Sequence, residues 1–303
     1  MTTELEAMKL ALKLAQKGSG YVSPNPRVGA VLLKDGKIIG QGWHAKYGEA
    51  HAEVTAINNA SDIDLTGATM VVTLEPCSHY GKTPPCAELI ITKKISRVVI
   101  GMKDPHTKVA GRGIEMLEKA GIEVVVGLLE EECKWINRFF IKHINSGIPY
   151  IVAKVAQSLD ACVAAANGQS KWITCDESRR EVHSMRAELD AVLIGKGTAE
   201  ADQPSLTVRD VEGRNPQRII FDSKLSLSLS CSVFSDEGRN RTTVCCKPEF
   251  EHTPKVGELR KANVKIVPFV MNGNKIDLKA TLKQLGVILN LSKILLEGGC
   301  DIF

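Results

Sequence analysis

Apolar residues first recur at helical spacing in ELEAMKLALKLAQK, where Leu5, Met8, Ala11, Leu12 and Ala15 fall on one face. The spacing predicts an amphipathic helix ended by Gly18 and Gly20. After the turn-rich SPNPRVG the period changes. GAVLLKDGKIIGQGW holds two apolar runs around Lys34-Asp35-Gly36, and Asp-Gly between apolar strands predicts a tight hairpin. There follow a helix from about His51 to Asn59, the strand ATMVVTLE, a helix after Pro85, the strand SRVVIGM, the helix GIEMLEKAG and the strand IEVVVGL. Helices alternating with short apolar strands predict a layered α/β domain closing near residue 145.

The alternation resumes with the strand YIVAKVAQS at Tyr150, the helix DESRREVHSMRAEL, and the strands DAVLIGKG, RIIFDS, TTVCCK, VKIVPFV and SKILLEGG. Between them KLSLSLSCSVFSDEGRNR is Ser-rich and then polar, and reads as an ordered loop or weak edge strand rather than a domain linker. No internal repeat is visible. At 303 residues, 44% hydrophobic and 24% charged, the chain is too long for one comfortable core. Two domains are expected, 1–145 and 146–303.

Composition narrows the class. A net charge of +4 without a basic stripe, and 5% aromatic residues, argue against nucleic acid but permit a small phosphorylated ligand. No apolar run approaches the roughly 18 residues of a membrane span. The start MTTELEAMKLALKLAQ has two early glutamates and no continuous apolar region, so no membrane partner and a cytoplasmic location are expected. Nine cysteines, an odd count, should then stay reduced, favouring metal binding, catalysis or plain burial over disulfides.

The chemistry concentrates in HAE (His51-Ala52-Glu53) and LEPCSHYGKTPPC (Leu74 to Cys86). His51, Cys77 and Cys86 are sound zinc ligands, and three protein ligands leave the fourth tetrahedral position open for water. A base must take that water's proton and pass it to a leaving group, and Glu53 is placed to do so without being a ligand. In a regular helix i and i+2 point apart, so the role suits a frayed first turn. The prolines before Cys86 make a good helix start, and a helix N-terminus stabilises thiolate. H-x-E…P-C-x-x-C is the signature of zinc nucleobase deaminases; here eight residues separate the cysteines instead of two. HAE alone recurs by chance. A structural zinc, for which His79 is the only local fourth ligand, and buried free cysteines are the alternatives.

The long spacer points to a relative. NPRVGA, GWHAKYGEAHAE, LEPCSHYGKTPPC, GMKDPHTKVAGRG, KVAQSLDACVAAANGQSKWIT, GKGTAEADQPSLTVR and LLEGG together resemble the bifunctional riboflavin-biosynthesis deaminase-reductases over essentially the whole chain. The resemblance implies a cytidine-deaminase-like α/β/α layered domain followed by a dihydrofolate-reductase-like α/β domain that is C-terminally incomplete. It implies zinc-dependent hydrolytic deamination of a diaminopyrimidinone with a phosphoribosylamino tail, then NADPH-dependent reduction of the ribosyl to a ribityl chain. A homo-oligomer, dimer or larger, goes with it.

By the same resemblance Asn25, His44, His79 and Lys82 would form the deaminase pocket. Ala156, Trp172, Thr198, Asp202 and Gly299 would lie against NADPH, while Ser170, Arg186, Leu206, Arg209 and Glu297 would meet the reductase substrate. A lysine suits phosphate as a point charge, and an arginine fork binds oxygens in pairs. The bland readings are a solvated Lys82, a strand-end His44, a turn-forming Asn25 and a helix-surface salt bridge at Arg186. His106 and His143 read as surface histidines. No G-x-G-x-x-G follows a strand, so a Rossmann fingerprint is absent. GKGT and EGG are short glycine turns that could approach phosphates, yet each is a common turn.

Two departures stand out. The family's SLDG is SLDA here, with Ala161 where glycine is usual. The chain also stops at Phe303 just after EGG, where relatives continue. Were Phe303 the natural terminus, weak or absent reductase activity and an exposed sheet edge would be expected; a longer natural protein should have both activities. The rivals are a nucleoside or tRNA deaminase, a deaminase whose second half only binds or oligomerises, and a zinc-stabilised scaffold that gives Glu53 no role.

Overall fold

The computed structural model describes residues 1–61, 63–80, 84–106 and 110–298, and the chain divides into two compact units, Met1–Ser146 and Gly147–Phe303. In the first, α1 (Glu4–Gln16) opens on a capping box in which Thr3 and Glu6 satisfy each other's backbone N–H groups. It buries Ala7, Met8, Ala11, Leu12 and Ala15, whereas Leu5, at the first turn, stays exposed. Strands β1 (Gly29–Lys34) and β2 (Lys37–Trp43) form the hairpin, with Asp35 and Gly36 both at positive φ, 50° and 68°, as a type I′ turn requires.

There follow α2 (Ala52–Asn59), β3 (Thr69–Leu74), α3 (Cys86–Thr92), β4 (Arg97–Met102), α4 (Arg112–Lys119), β5 (Glu123–Val126), α5 (Glu130–Ile136) and α6 (Arg138–Ser146). The sheet order is β2-β1-β3-β4-β5, antiparallel through β2, β1 and β3 and parallel from β3 to β5. Alternate strand residues face opposite ways. Leu32, Met70, Val98 and Ile100 pack with α2, α3 and α4, and Val31, Val71 and Val99 pack with α1 and α5, giving three layers. The pattern reading stops short of α5 and α6. Helix α5 starts after Leu129 in the left-handed region rather than at a polar cap, so the usual start signal is missing.

The second unit runs β6 (Tyr150–Lys154), α7 (Asp176–Glu188), β7 (Ala191–Gly195), α8 (Lys196–Asp202), β8 (Gln217–Phe221), α9 (Ser232–Ser235), β9 (Thr242–Cys246), α10 (Pro254–Lys261), β10 (Lys265–Pro268), the two-residue strands β11 (Met271–Asn272) and β12 (Lys275–Ile276), α11 (Leu278–Leu289) and β13 (Lys293–Glu297). The main sheet has the order β10-β9-β8-β7-β13-β6, with every neighbouring pair parallel. From β7 the chain steps outward to β10 and then returns to lay β13 on the other side of β7. Ligands of open α/β sheets bind outside the carboxyl ends of strands at such a reversal.

The structure departs from the sequence expectation at GKGT, and of the two forms expected for the Ser-rich stretch it adopts the ordered loop. GKGT is no bare turn, because Gly195 is the N-cap of α8. The Ser-rich stretch forms no strand among the described residues; it carries α9 and a 3-10 turn. It is pinned by the fully buried Arg218, whose guanidinium donates to both Asp236 carboxylate oxygens at 2.7 and 2.8 Å and to Thr242 Oγ1 at 2.9 Å.

Candidate metal centre and a second candidate site

In the first unit the elements converge on one cluster. His51 is the N-cap of α2 with extended backbone, φ −71° and ψ 162°, so the helical rule separating i from i+2 does not apply to it. Cys77 follows β3, and Cys86 is the first residue of α3 after Pro85. His51 Nδ1 lies 3.6 Å from Cys77 Sγ and 3.3 Å from Cys86 Sγ. Two ligands on a tetrahedral zinc at its usual bond lengths would sit about 3.5 Å apart, so the donor set fits that ion. Among the described residues it is the only group of three or more such side chains close enough to hold a metal, and His79 is not part of it.

The electrostatics agree with this donor set. The Cys77 thiol is lowered to about 4, chiefly by the hydrogen bond from Cys86, with His51 helping. The first N–H of α3 also donates to Cys77 Sγ at 3.3 Å, so the helix N-terminus supports the cysteine ahead of it rather than its own. Cys86 is pushed up by its bond to Cys77 and by burial, making Cys77 the first to ionise. The hydrogen bond to Cys77 raises His51. Glu53 is 3% exposed and pushed up to about 7 by burial and by the Cys77 charge, with its carboxyl in hydrogen-bond contact with Cys86.

Helix α2 reaches this position because β2 yields space to it. A Cβ at Gly42 would lie 2.4 Å from the Ala56 nitrogen and 2.6 Å from the Ala52 oxygen. Asn25 and His44 form one wall. His44 Nδ1 is 3.0 Å from the Ala50 carbonyl and Nε2 is 3.1 Å from Asn25 Nδ2. A carbonyl only accepts, so Nδ1 carries the proton, Nε2 accepts from the Asn25 amide, and the Asn25 carbonyl oxygen is left to other partners. Burial lowers the pKa of His44, in keeping with a neutral ring. Its ring meets that of His51 edge-on at 5.5 Å. His79 is exposed, and Lys82 lies outside the described residues. His106 and His143 are half-buried rather than on the open surface.

Two residues that the pattern passes over hold this arrangement. Glu75 is buried and its carboxylate accepts backbone N–H groups from Asp104, Gly111, Gly113 and Ile114 at 2.9–3.4 Å. It caps α4 from the end of β3, and so fixes the strand end that presents Cys77. Asn137, between α5 and α6, accepts from the Arg27 N–H at 2.8 Å and donates to the Arg27 carbonyl at 3.0 Å. That clasp anchors the segment carrying Asn25.

In the second unit Ala156, Thr198 and Glu297 come off the carboxyl ends of the adjacent strands β6, β7 and β13. Thr198 and Asp202 lie one turn apart on α8, on one face. Ser170 is half-buried and Trp172 is 71% exposed, with the Arg179 guanidinium 4.4 Å from the indole centroid. The carboxyl ends of three neighbouring parallel strands are where open α/β sheets bind ligands. Gly299 lies outside the described residues.

Arg186, Leu206, Arg209 and Glu297 gather around Thr207. The Arg186 fork pairs with both Glu297 oxygens at 2.7 and 2.8 Å and donates to the Thr207 carbonyl at 3.1 Å. Their side chains are only 12% and 10% exposed, so this is a buried pair and not a helix-surface salt bridge. The exposed guanidinium of the group is that of Arg209.

The comparisons with known proteins divide the chain the same way. Residues 1–102 match the cytidine and deoxycytidylate deaminase zinc-binding region, and residues 149–303 match the RibD C-terminal domain. Riboflavin biosynthesis protein RibD of Aquifex aeolicus is 45% identical over 293 residues, covering 96% of this chain and 80% of that protein. The solved structure of a diaminohydroxyphosphoribosylaminopyrimidine deaminase/5-amino-6-(5-phosphoribosylamino)uracil reductase from Thermotoga maritima superposes with a TM-score of 0.88 at 42% identity, over 99% of this chain and 82% of that one. RibD from Acinetobacter baumannii gives 0.87 at 36%, over 99% and 81%.

Proposed function

The chain belongs to the RibD family of bifunctional riboflavin-biosynthesis deaminase-reductases, and from that premise we propose how its two units divide the work and which residues do it. Residues 1–145 carry a zinc-dependent hydrolase that exchanges an amino group of 2,5-diamino-6-(5-phosphoribosylamino)pyrimidin-4-one for oxygen and releases ammonia. Residues 146–303 carry an NADPH-dependent oxidoreductase that reduces the ribosyl group of the product to ribityl. The observation that carries the reading is the His51, Cys77 and Cys86 cluster with the buried Glu53 against it.

His51, Cys77 and Cys86 hold zinc, which when bound supplies a Lewis acid that makes water acidic near neutral pH. Glu53, raised to about 7, can take a proton and give it back at neutral pH, as a group relaying one proton from water to a leaving amine must. Its burial excludes bulk water from that exchange. Asn25, its amide turned by His44, offers a carbonyl oxygen to a donor on the pyrimidine edge, and His79 and Lys82 take the phosphoribosyl tail.

In the second unit Ala156, Trp172, Thr198, Asp202 and Gly299 hold NADPH, which when bound supplies the hydride. Ser170, Leu206 and Arg209 orient the substrate, with Arg209 at its phosphate, and the Arg186–Glu297 pair keeps the pocket wall in place. The half-exposed edge strand β6 supports a homo-oligomer, and the eight free cysteines of the described residues support a reducing, cytoplasmic setting.

The test is mass spectrometry of the diaminopyrimidinone after incubation with zinc-loaded chain, with and without NADPH. Exchange of amino for oxygen, followed by a gain of two hydrogens only with NADPH, is expected. An unchanged substrate would overturn the assignment.

A further inference from the structure

The segment after α8 has no regular structure of its own from residue 203 to 209, yet its backbone is held at successive residues by side chains from elsewhere. Leu206 is buried at φ 52° and turns the segment. The Thr207 carbonyl accepts from Arg186, the Val208 N–H donates to Asn215 Oδ1 at 2.7 Å, and the Arg209 N–H donates to His183 Nδ1 at 3.3 Å. His183 Nε2 faces Asp210 Oδ2, also at 3.3 Å. His183 and Arg186 lie three residues apart on α7 and so share a helix face. Together they clamp residues 207–210.

His183 is 6% exposed. Because Nδ1 accepts from a backbone N–H, the ring proton sits on Nε2 and points at Asp210. The ring therefore engages the Arg209 N–H and the Asp210 carboxylate, with a further backbone hydrogen bond at Thr207. Burial and the nearby Arg186 charge lower its pKa, which keeps the Nδ1 lone pair available at neutral pH. What the clamp fixes is the backbone under Arg209, whose side chain is exposed and only lightly tied, by a 3.4 Å bond to Thr207 Oγ1. Arg186 is already engaged with Glu297 and the Thr207 carbonyl.

We propose that His183 is a positioning residue that aims Arg209 at the phosphate of the reductase substrate. The inference rests on the reading of Arg209 as the phosphate-binding residue. It makes His183 a determinant of selectivity for the phosphorylated sugar.

The experiment compares calorimetric affinities of the full chain for 5-amino-6-(5-phosphoribosylamino)uracil and for its dephosphorylated counterpart. Arg209→Ala should weaken the phosphorylated compound roughly tenfold to a hundredfold, as for a lost charged hydrogen bond. His183→Leu should weaken it about tenfold and leave the dephosphorylated compound unchanged. His183→Gln, which keeps an acceptor, should restore most of the loss, and the double variant should be no worse than Arg209→Ala alone. Should His183→Leu fail to fold, Asp210→Ala removes the ring's exposed partner and carries the same comparison.

Equal weakening of both compounds would reduce His183 to a structural role. Additive losses in the double variant would do the same. If Arg209→Ala itself leaves the phosphorylated compound unaffected, the phosphate site is elsewhere and the proposal falls with that reading.

Discussion

At the scale of single residues, the zinc ligands and Glu53 are legible because their motif is local: histidine at a helix start, cysteine at a strand end, cysteine at the next helix start. Glu75 stands in the same stretch, yet nothing near it in sequence announces its role. Its four partners lie between Asp104 and Ile114, and only the fold brings them together. Glu75→Ala leaves those buried donors without their acceptor and should destabilise the first unit by about 3 kcal/mol or more, read by denaturant unfolding. Glu75→Gln should recover part of it. Ala161 sits at φ 64°, in the left-handed region that glycine suits. Ala161→Gly relieves a strain of about 1–2 kcal/mol against a chain-entropy cost of about 0.5–1 kcal/mol, and a net gain of up to about 1.5 kcal/mol is expected in thermal unfolding.

At the scale of elements, the strands are read well from their apolar runs, while several helices are not. Helices α5 and α8 begin at Leu129 and Gly195, neither a strong start signal. Helices α10 and α11 do carry legible starts, Thr253-Pro254 and the Asp277 cap that accepts from the Ala280 N–H at 2.9 Å. In α10 only Val256 and Leu259 are buried and the apolar pattern is weak, whereas Leu282, Leu285 and Leu289 of α11 recur at helical spacing and make that helix legible. The pinning of the α9 segment was equally out of reach, since a buried arginine on a central strand contradicts the pattern. Burial raises the pKa of Asp236, but its bonds to Arg218 outweigh burial and leave it below the ordinary 3.8. A depressed folded pKa stabilises at pH above the unfolded value and loses that contribution as pH falls through the folded one. Thermal stability from this pair should therefore hold from pH 7 to 5 and decline below about 4. Asp236→Asn should lack that acid-dependent part, and Asp236→Ala, stranding Arg218, should cost about 3 kcal/mol.

At the scale of the whole molecule, two compact units each present one cluster, and the two clusters draw on different chemistry. Among the described residues the only cluster able to hold a metal lies in the first unit. Stripping zinc with a chelator should abolish release of ammonia while leaving NADPH oxidation with added 5-amino-6-(5-phosphoribosylamino)uracil intact, and re-adding zinc should restore the first step. A loss of both steps on chelation would place the metal in both. The two-unit organisation was visible in the alternation of elements, and the deaminase centre in its motif. The second site was not, because its residues come from three strand ends and a loop that only the returning strand β13 brings side by side.

The most direct test of the account is Glu53→Gln, followed by zinc content and ammonia release on the same preparation. The account predicts zinc bound as in the unaltered chain, because His51, Cys77 and Cys86 are intact, with ammonia release down by about a hundredfold to ten-thousandfold, the usual contribution of a positioned general acid-base. Ammonia release near the unaltered rate, with zinc in place, would contradict it.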